Sequence, residues 1–156
     1  MAANLHAELI ERLYRALQNR DGAAMAACYA PAATFRDPVF ELSGERIGTM
    51  WKMLCARGAD LRVEFEDIAA DTARGRARWQ AWYTFSAGGR HVHNVIDARF
   101  RFAGDLIVEH IDEFDFWRWS RQALGPVGLL LGWSPLLRAK VRAQALRSLE
   151  RYAASP

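Results

Sequence analysis

The chain has only two cysteines, Cys28 and Cys55, and neither belongs to a metal-ligand spacing. They read as reduced thiols that need not meet, which argues against a disulfide framework or a structural zinc site and suits a cytoplasmic protein. Long hydrophobic runs are missing as well. No stretch approaches the roughly 18 uninterrupted apolar residues of a membrane span, and no apolar run with a basic flank reads as a secretory signal. Internal repeats and low-complexity segments are absent. The strands lack an aromatic–basic stacking pattern, so nucleic-acid binding has no support beyond charge. Acidic residues are scarce in one region in particular. From Trp117 onward seven basic residues stand against Glu150 alone, a net +6, leaving the first 116 residues at −3 within an overall +3. A solvated helix face is the common cause of such asymmetry, and an anionic partner the rarer one.

What remains is the composition of one globular domain of ordinary size: 156 residues, 51% hydrophobic and 25% charged. Residues 4–20 read as an amphipathic helix, with Leu5, Leu9, Ile10, Leu13, Tyr14 and Leu17 at three- and four-residue steps. Asp21-Gly22 ends it, and a short helix from Ala23 to Tyr29 follows. Ala32 to Arg36 reads as extended and leads into Asp37-Pro38, where the proline disfavours helix at the aspartate. Ile47 to Arg57 reads as a third helix.

From Leu61 the hydrophobic period changes to two, giving strands over 61–69, 76–86, 90–102 and 106–116, with hairpin signals at Gly88-Gly89 and Gly104-Asp105. Val92, Asn94, Ile96, Ala98, Phe100 and Phe102 share one face of the third strand; His91, His93, Asp97, Arg99 and Arg101 share the other. Helices first and a sheet after predict an α+β layer architecture. Gly125 to Trp133 reads as an apolar, glycine-punctuated link, and Pro135 opens a last helix that runs to about Tyr152.

The strand 106–116 carries the sharpest functional signal. Period two places Leu106, Val108, His110, Asp112, Phe114 and Phe116 on one face, so two titratable groups sit among large hydrophobes. Burying an unpaired charge costs several kcal/mol, so such groups either pair with each other or line a cavity where chemistry happens. Asn94 is the single polar residue on its strand's apolar face and should reach the same place.

The order of elements, together with Leu9–Asp21, Tyr29-Ala-Pro-Ala-Ala-Thr-Phe-Arg-Asp-Pro-Val39 and Val95–Phe116, resembles the NTF2-like superfamily, and within it ketosteroid isomerases and SnoaL-like polyketide cyclases. The resemblance implies a cone: N-terminal helices packed on a curved antiparallel sheet over residues 1–118, followed here by a C-terminal helical extension over 119–156. It implies a homodimer formed through the outer sheet face, where Asp97, Arg99 and Arg101 would be interface charges. Asp37 matches the position of the isomerases' general base. Leu13 stands where they carry an oxyanion-hole tyrosine, with Tyr14 one helical step of about 100° away. Ala98 takes the place of their second acid, and strand parity turns Asp97 outward.

These readings converge on Asp37, His110 and Asp112 as catalytic groups. Asn94, Tyr14, Trp51, Phe100 and Phe114 are the expected ligand contacts. The expected activity is acid–base chemistry (isomerisation, cyclisation or dehydration) on a small apolar carbonyl compound, with no cofactor or metal required. His91 and His93 have a metal-like spacing without a third ligand beside them. The alternative is a non-catalytic module of the same fold that binds a ligand or dimerises. For the basic last helix, a lid over the cone mouth or a dimer arm is preferred to a membrane-surface contact, because its apolar stripe is modest and lacks a Trp/Phe belt.

Overall fold

The computed structural model describes residues 2–155. The elements run α1 (Ala2–Gln18), α2 (Gly22–Ala26), β1 (Tyr29–Arg36), β2 (Glu41–Ser43), α3 (Glu45–Arg57), β3 (Arg62–Ala70), β4 (Arg74–Thr84), β5 (His91–Ala103), β6 (Leu106–Glu113), α4 (Phe116–Leu124), α5 (Pro126–Leu131) and α6 (Pro135–Ala154). Helices α1 to α3 cover the inner face of one open six-stranded sheet of order β2-β1-β6-β5-β4-β3. The core between these layers includes Leu9, Ile10, Leu13 and Leu17 of α1, Met50 and Trp51 of α3, and Phe35, Trp79, Ile96 and Phe100 of the sheet.

Sheet curvature has an identifiable origin. Register shifts interrupt the β1–β6, β3–β4 and β5–β6 ladders, and bulges of this kind bend a strand and increase its twist. In β3 the irregularity coincides with Asp67 at a positive φ of 56°. The outer face carries cross-strand ion pairs, Arg78–Asp97 and Arg99–Glu113, all well exposed.

Several elements differ from the sequence reading, each for a physical reason. The sheet is not wholly antiparallel, because β1 lies parallel to β6. Tyr29 opens β1 rather than closing α2. In β6 the inward side chain near the start is Ile107 and not Leu106 or Val108: Phe102 faces Ile107 while Arg101 faces Glu109, so one residue is extra and the parity reverses there. The same strand stops at Glu113. Asp115 caps α4 by accepting the Arg118 N–H on its side chain, which turns the chain into a helix where continued alternation predicts strand. The glycine-punctuated link is itself the short helix α5.

Candidate active site

The inner face of β4 to β6, helix α3 and the C-terminal helices enclose a cavity of about 320 Å³. Its walls are aromatic, with Trp51, Trp79, Tyr83, Phe114 and Trp119 among them, and its polar groups include Asp37, Asn94 and Asp112. Val141, Gln144, Ala145 and Ser148 of α6 form part of the wall, so the last helix shuts one side of the cone.

Beneath this wall runs a chain of buried hydrogen bonds. Trp51 Nε1 donates to Tyr29 Oη at 3.0 Å, and Tyr29 Oη lies 2.7 Å from His110 Nδ1. His110 Nε2 lies 2.8 Å from Asp112 Oδ1, which Trp79 Nε1 approaches at 3.5 Å. The donors fix the direction. Tyr29 already accepts from Trp51, so its own proton goes to Nδ1; the imidazole then carries its hydrogen on Nε2 and donates to Asp112. Every link is thereby satisfied, which is what lets a 0% exposed histidine sit among Phe35, Trp51 and Phe100. Both nitrogens of His110 are engaged by protein groups, and the ring does not line the cavity. Asp112 does.

Asp37 approaches the cavity from the other side, at the end of β1. Its Oδ1 accepts the backbone N–H groups of Val39 at 2.7 Å and Phe40 at 2.6 Å, a local turn that fixes the carboxyl group. The half-buried carboxyl group also lines the cavity. Burial therefore dominates its titration and, helped by the negative charge of Asp112, lifts its pKa to about 7 against the two backbone N–H bonds. Tyr83 is similarly placed. Trp119 Nε1 donates to its oxygen at 2.8 Å, and burial raises its pKa to about 12, so it keeps its proton as a hydrogen-bond donor.

The cavity thus brings together Asp37, Asp112, Asn94, Trp51 and Phe114 from the expected set. Tyr14 and Phe100 are not in its wall. Tyr14 is fully buried between Phe65, Trp79 and Phe100, its hydroxyl without a hydrogen-bond partner among the described residues, and the Phe100 ring packs tilted against His110, their centroids 4.4 Å apart. Asp97 is exposed and paired with Arg78. His93 is bonded to Gln80 and stacked on Trp82, and His91 lies by Thr84. Two residues were not anticipated. Tyr83 had a legible signal, a hydroxyl on the inward face of a strand. Tyr29 has none, because the sequence before Pro31 reads as the end of a helix.

Comparison with known proteins places the fold. The SnoaL-like domain model matches residues 10–110. Among solved structures, an LEH-like epoxide hydrolase from M. tuberculosis superposes with a TM-score of 0.68 at 20% identity, covering 84% of this chain and 98% of the other. A candidate polyketide cyclase from Xanthomonas campestris gives 0.66 at 17% identity, with 78% and 98% covered. A protein with a ketosteroid isomerase-like fold from Catenulispora acidiphila, solved with trimethylamine, gives 0.68 at 14%, with 82% and 98% covered. No curated protein matches the chain in sequence. Similarity at these identities concerns the fold, and with the domain match over most of the chain it identifies the protein as a member of the SnoaL-like family within the NTF2-like superfamily.

Proposed function

We propose that the protein is a cofactor-independent enzyme that moves a proton next to the carbonyl of a small apolar compound. The observation that carries this reading is a pair of carboxyl groups lining one aromatic cavity, of which Asp37 holds its proton to about pH 7 while Asp112 accepts hydrogen bonds as a carboxylate does. A carboxyl group that keeps its proton and a second one that accepts hydrogen bonds, facing the same cavity, are the arrangement that acid–base catalysis needs.

Asp112 takes the hydrogen from the carbon beside the carbonyl. The C–H electron pair becomes the enol double bond, the carbonyl π pair moves onto its oxygen, and that oxygen takes the proton of Asp37, which is left as a carboxylate. Return of the proton to another carbon isomerises the compound, loss of a β-hydroxyl dehydrates it, and attack on a second carbonyl closes a ring. Asn94 and Tyr83 are donors positioned to steady the developing oxygen charge. His110 touches no substrate and acts as a positioning residue that orients Asp112. The same acid and base would also open an epoxide, Asp112 activating water and Asp37 protonating the ring oxygen.

Deuterium uptake at the α-carbon of cyclic enones and 1,3-diketones in D2O tests the reading without requiring the natural substrate. Asp112→Asn and Asp37→Asn should each slow exchange by about 10²–10⁴-fold while ligand affinity persists. Compounds that bind the cavity of the wild-type protein but never exchange would overturn it. The second reading, a ligand-binding module, would then lead. It is favoured by one observation: the Trp51–Tyr29–His110–Asp112 chain is saturated within the protein and needs no substrate to complete it.

A further inference from the structure

Helix α5 is built inside out. Its small residues face the protein and its large apolar ones face solvent. A Cβ at Gly128 would collide with the Ser120 carbonyl, and one at Gly132 with the Ser120 hydroxyl, so this glycine edge is what lets α5 lie flat on α4. The remaining side chains are covered only in part. Val127, Leu129 and Leu131 are about half exposed, while Leu130 is 68%, Trp133 74% and Leu136 69% exposed. Few other large apolar side chains of the described residues are exposed. An apolar patch of this kind marks an interaction surface.

Cations frame the patch. Arg90, His91 and Arg121 line an open groove together with Leu129, and the Arg121 guanidinium lies 4.1 Å over Trp117, whose Nε1 holds the Leu129 carbonyl. Arg138 and Lys140 follow in the next turns of α6, and no acidic residue occurs between Asp115 and Glu150. We infer that this face docks on an anionic lipid surface, with Leu130, Trp133 and Leu136 entering the interface and the arginines meeting the headgroups. No helix among the described residues is long and apolar enough to cross a membrane, so the contact is peripheral. A second copy of the chain is the poorer occupant. A two-fold contact through this face would bring together two surfaces that both carry Arg90, Arg121, Arg138 and Lys140, with no acidic residue of the same segment to offset them. The element responsible is α5 with the start of α6, not the α6 stripe of Leu137, Val141, Ala145 and Leu149, which faces inward.

The test is co-sedimentation of the full chain with vesicles of phosphatidylcholine alone and with vesicles in which about a third of the lipid is phosphatidylserine. Expected are binding to the anionic vesicles about tenfold or more above the neutral ones, loss of that gain at high salt, and a blue shift of tryptophan emission. Leu130→Ser with Trp133→Ser should abolish all three. Both sites are exposed, and an unchanged circular-dichroism melt confirms that the variant folds. Absence of binding at low salt, equal binding to both lipids, or a homodimer in light scattering that the double variant dissolves would each overturn the inference. None of these outcomes bears on the chemistry proposed for the cavity.

Discussion

The inner wall of the cavity and the outer face of α5 break the same rule in opposite directions. Around His110 and Asp112, polar groups are buried, and each has a partner: an indole, a phenol, an imidazole and a carboxylate in sequence. Along α5, apolar groups are exposed, and half or more of most of these side chains is left uncovered by the described chain. The first violation is repaired inside the protein and therefore carries structural cost if disturbed. The second is not repaired, so its cost or benefit lies outside the folded chain. The difference separates a residue that holds the fold from one that waits for something else, and it can be measured.

The largest effect should come from His110→Ala. The substitution removes an imidazole seated among Phe35, Trp51 and Phe100, leaves a void, and strands both the Tyr29 hydroxyl and the Asp112 carboxylate. Breaking a buried pair from one side costs about 3–5 kcal/mol, which a shift of the urea midpoint with an unchanged m-value would report. A loss below about 1 kcal/mol would mean that the chain is not a satisfied network and that the contrast with α5 is false.

Asp37→Asn sharpens the comparison through pH. With a folded pKa of about 7 against an ordinary value of 3.8, native Asp37 binds a proton that the unfolded chain has released. Wild-type stability should therefore fall as pH rises from about 4 to 7, and the full penalty should be present above that window. Asparagine keeps the oxygen that accepts from Val39 and Phe40 but has no charge to bury. The variant should exceed wild type by about 2–4 kcal/mol at pH 8 and match it below pH 4. Thermal melts at the two pH values decide this. Parallel wild-type and variant profiles would show that Asp37 is solvated as an ordinary surface carboxylate and would remove the acid from the proposed pair.

The inner face of the sheet was legible because β5 keeps strict alternation: Val92, Asn94, Ile96, Ala98, Phe100 and Phe102 all point inward as period two requires, Asn94 and Ile96 into the cavity wall. His110 and Asp112 were legible for the same reason. The chemistry between them was not. Alternation tells which face a histidine takes, but not that Tyr29, far away in sequence, will occupy its Nδ1 and turn it from a reacting group into an orienting one. Ile107 was missed because a single extra residue in β6 inverts parity and leaves no trace in a hydrophobic pattern. Strand β2 is only three residues long, too short for any period to show. Helix α5 was passed over because Pro-Val-Gly-Leu-Leu-Leu is apolar with glycine in it, which reads as a link. Only the collision of a Cβ with Ser120 shows which edge is inside.

The smallest effect should come from Leu130→Ala, and its smallness is the point. A core leucine such as Leu13, at 0% exposure, loses about 2–5 kcal/mol on truncation because it leaves both contacts and volume behind. Leu130 is 68% exposed and packs against little, so the same change should move stability by no more than about 0.5 kcal/mol in the absence of vesicles. The two leucines then differ by stability alone and not by chemistry, and urea titrations of Leu13→Ala and Leu130→Ala side by side read that difference directly. A cost above about 1 kcal/mol for Leu130→Ala would show that α5 folds its leucines against the protein in solution. The patch would then be core, and the lipid surface would lose the side chains that were to enter it.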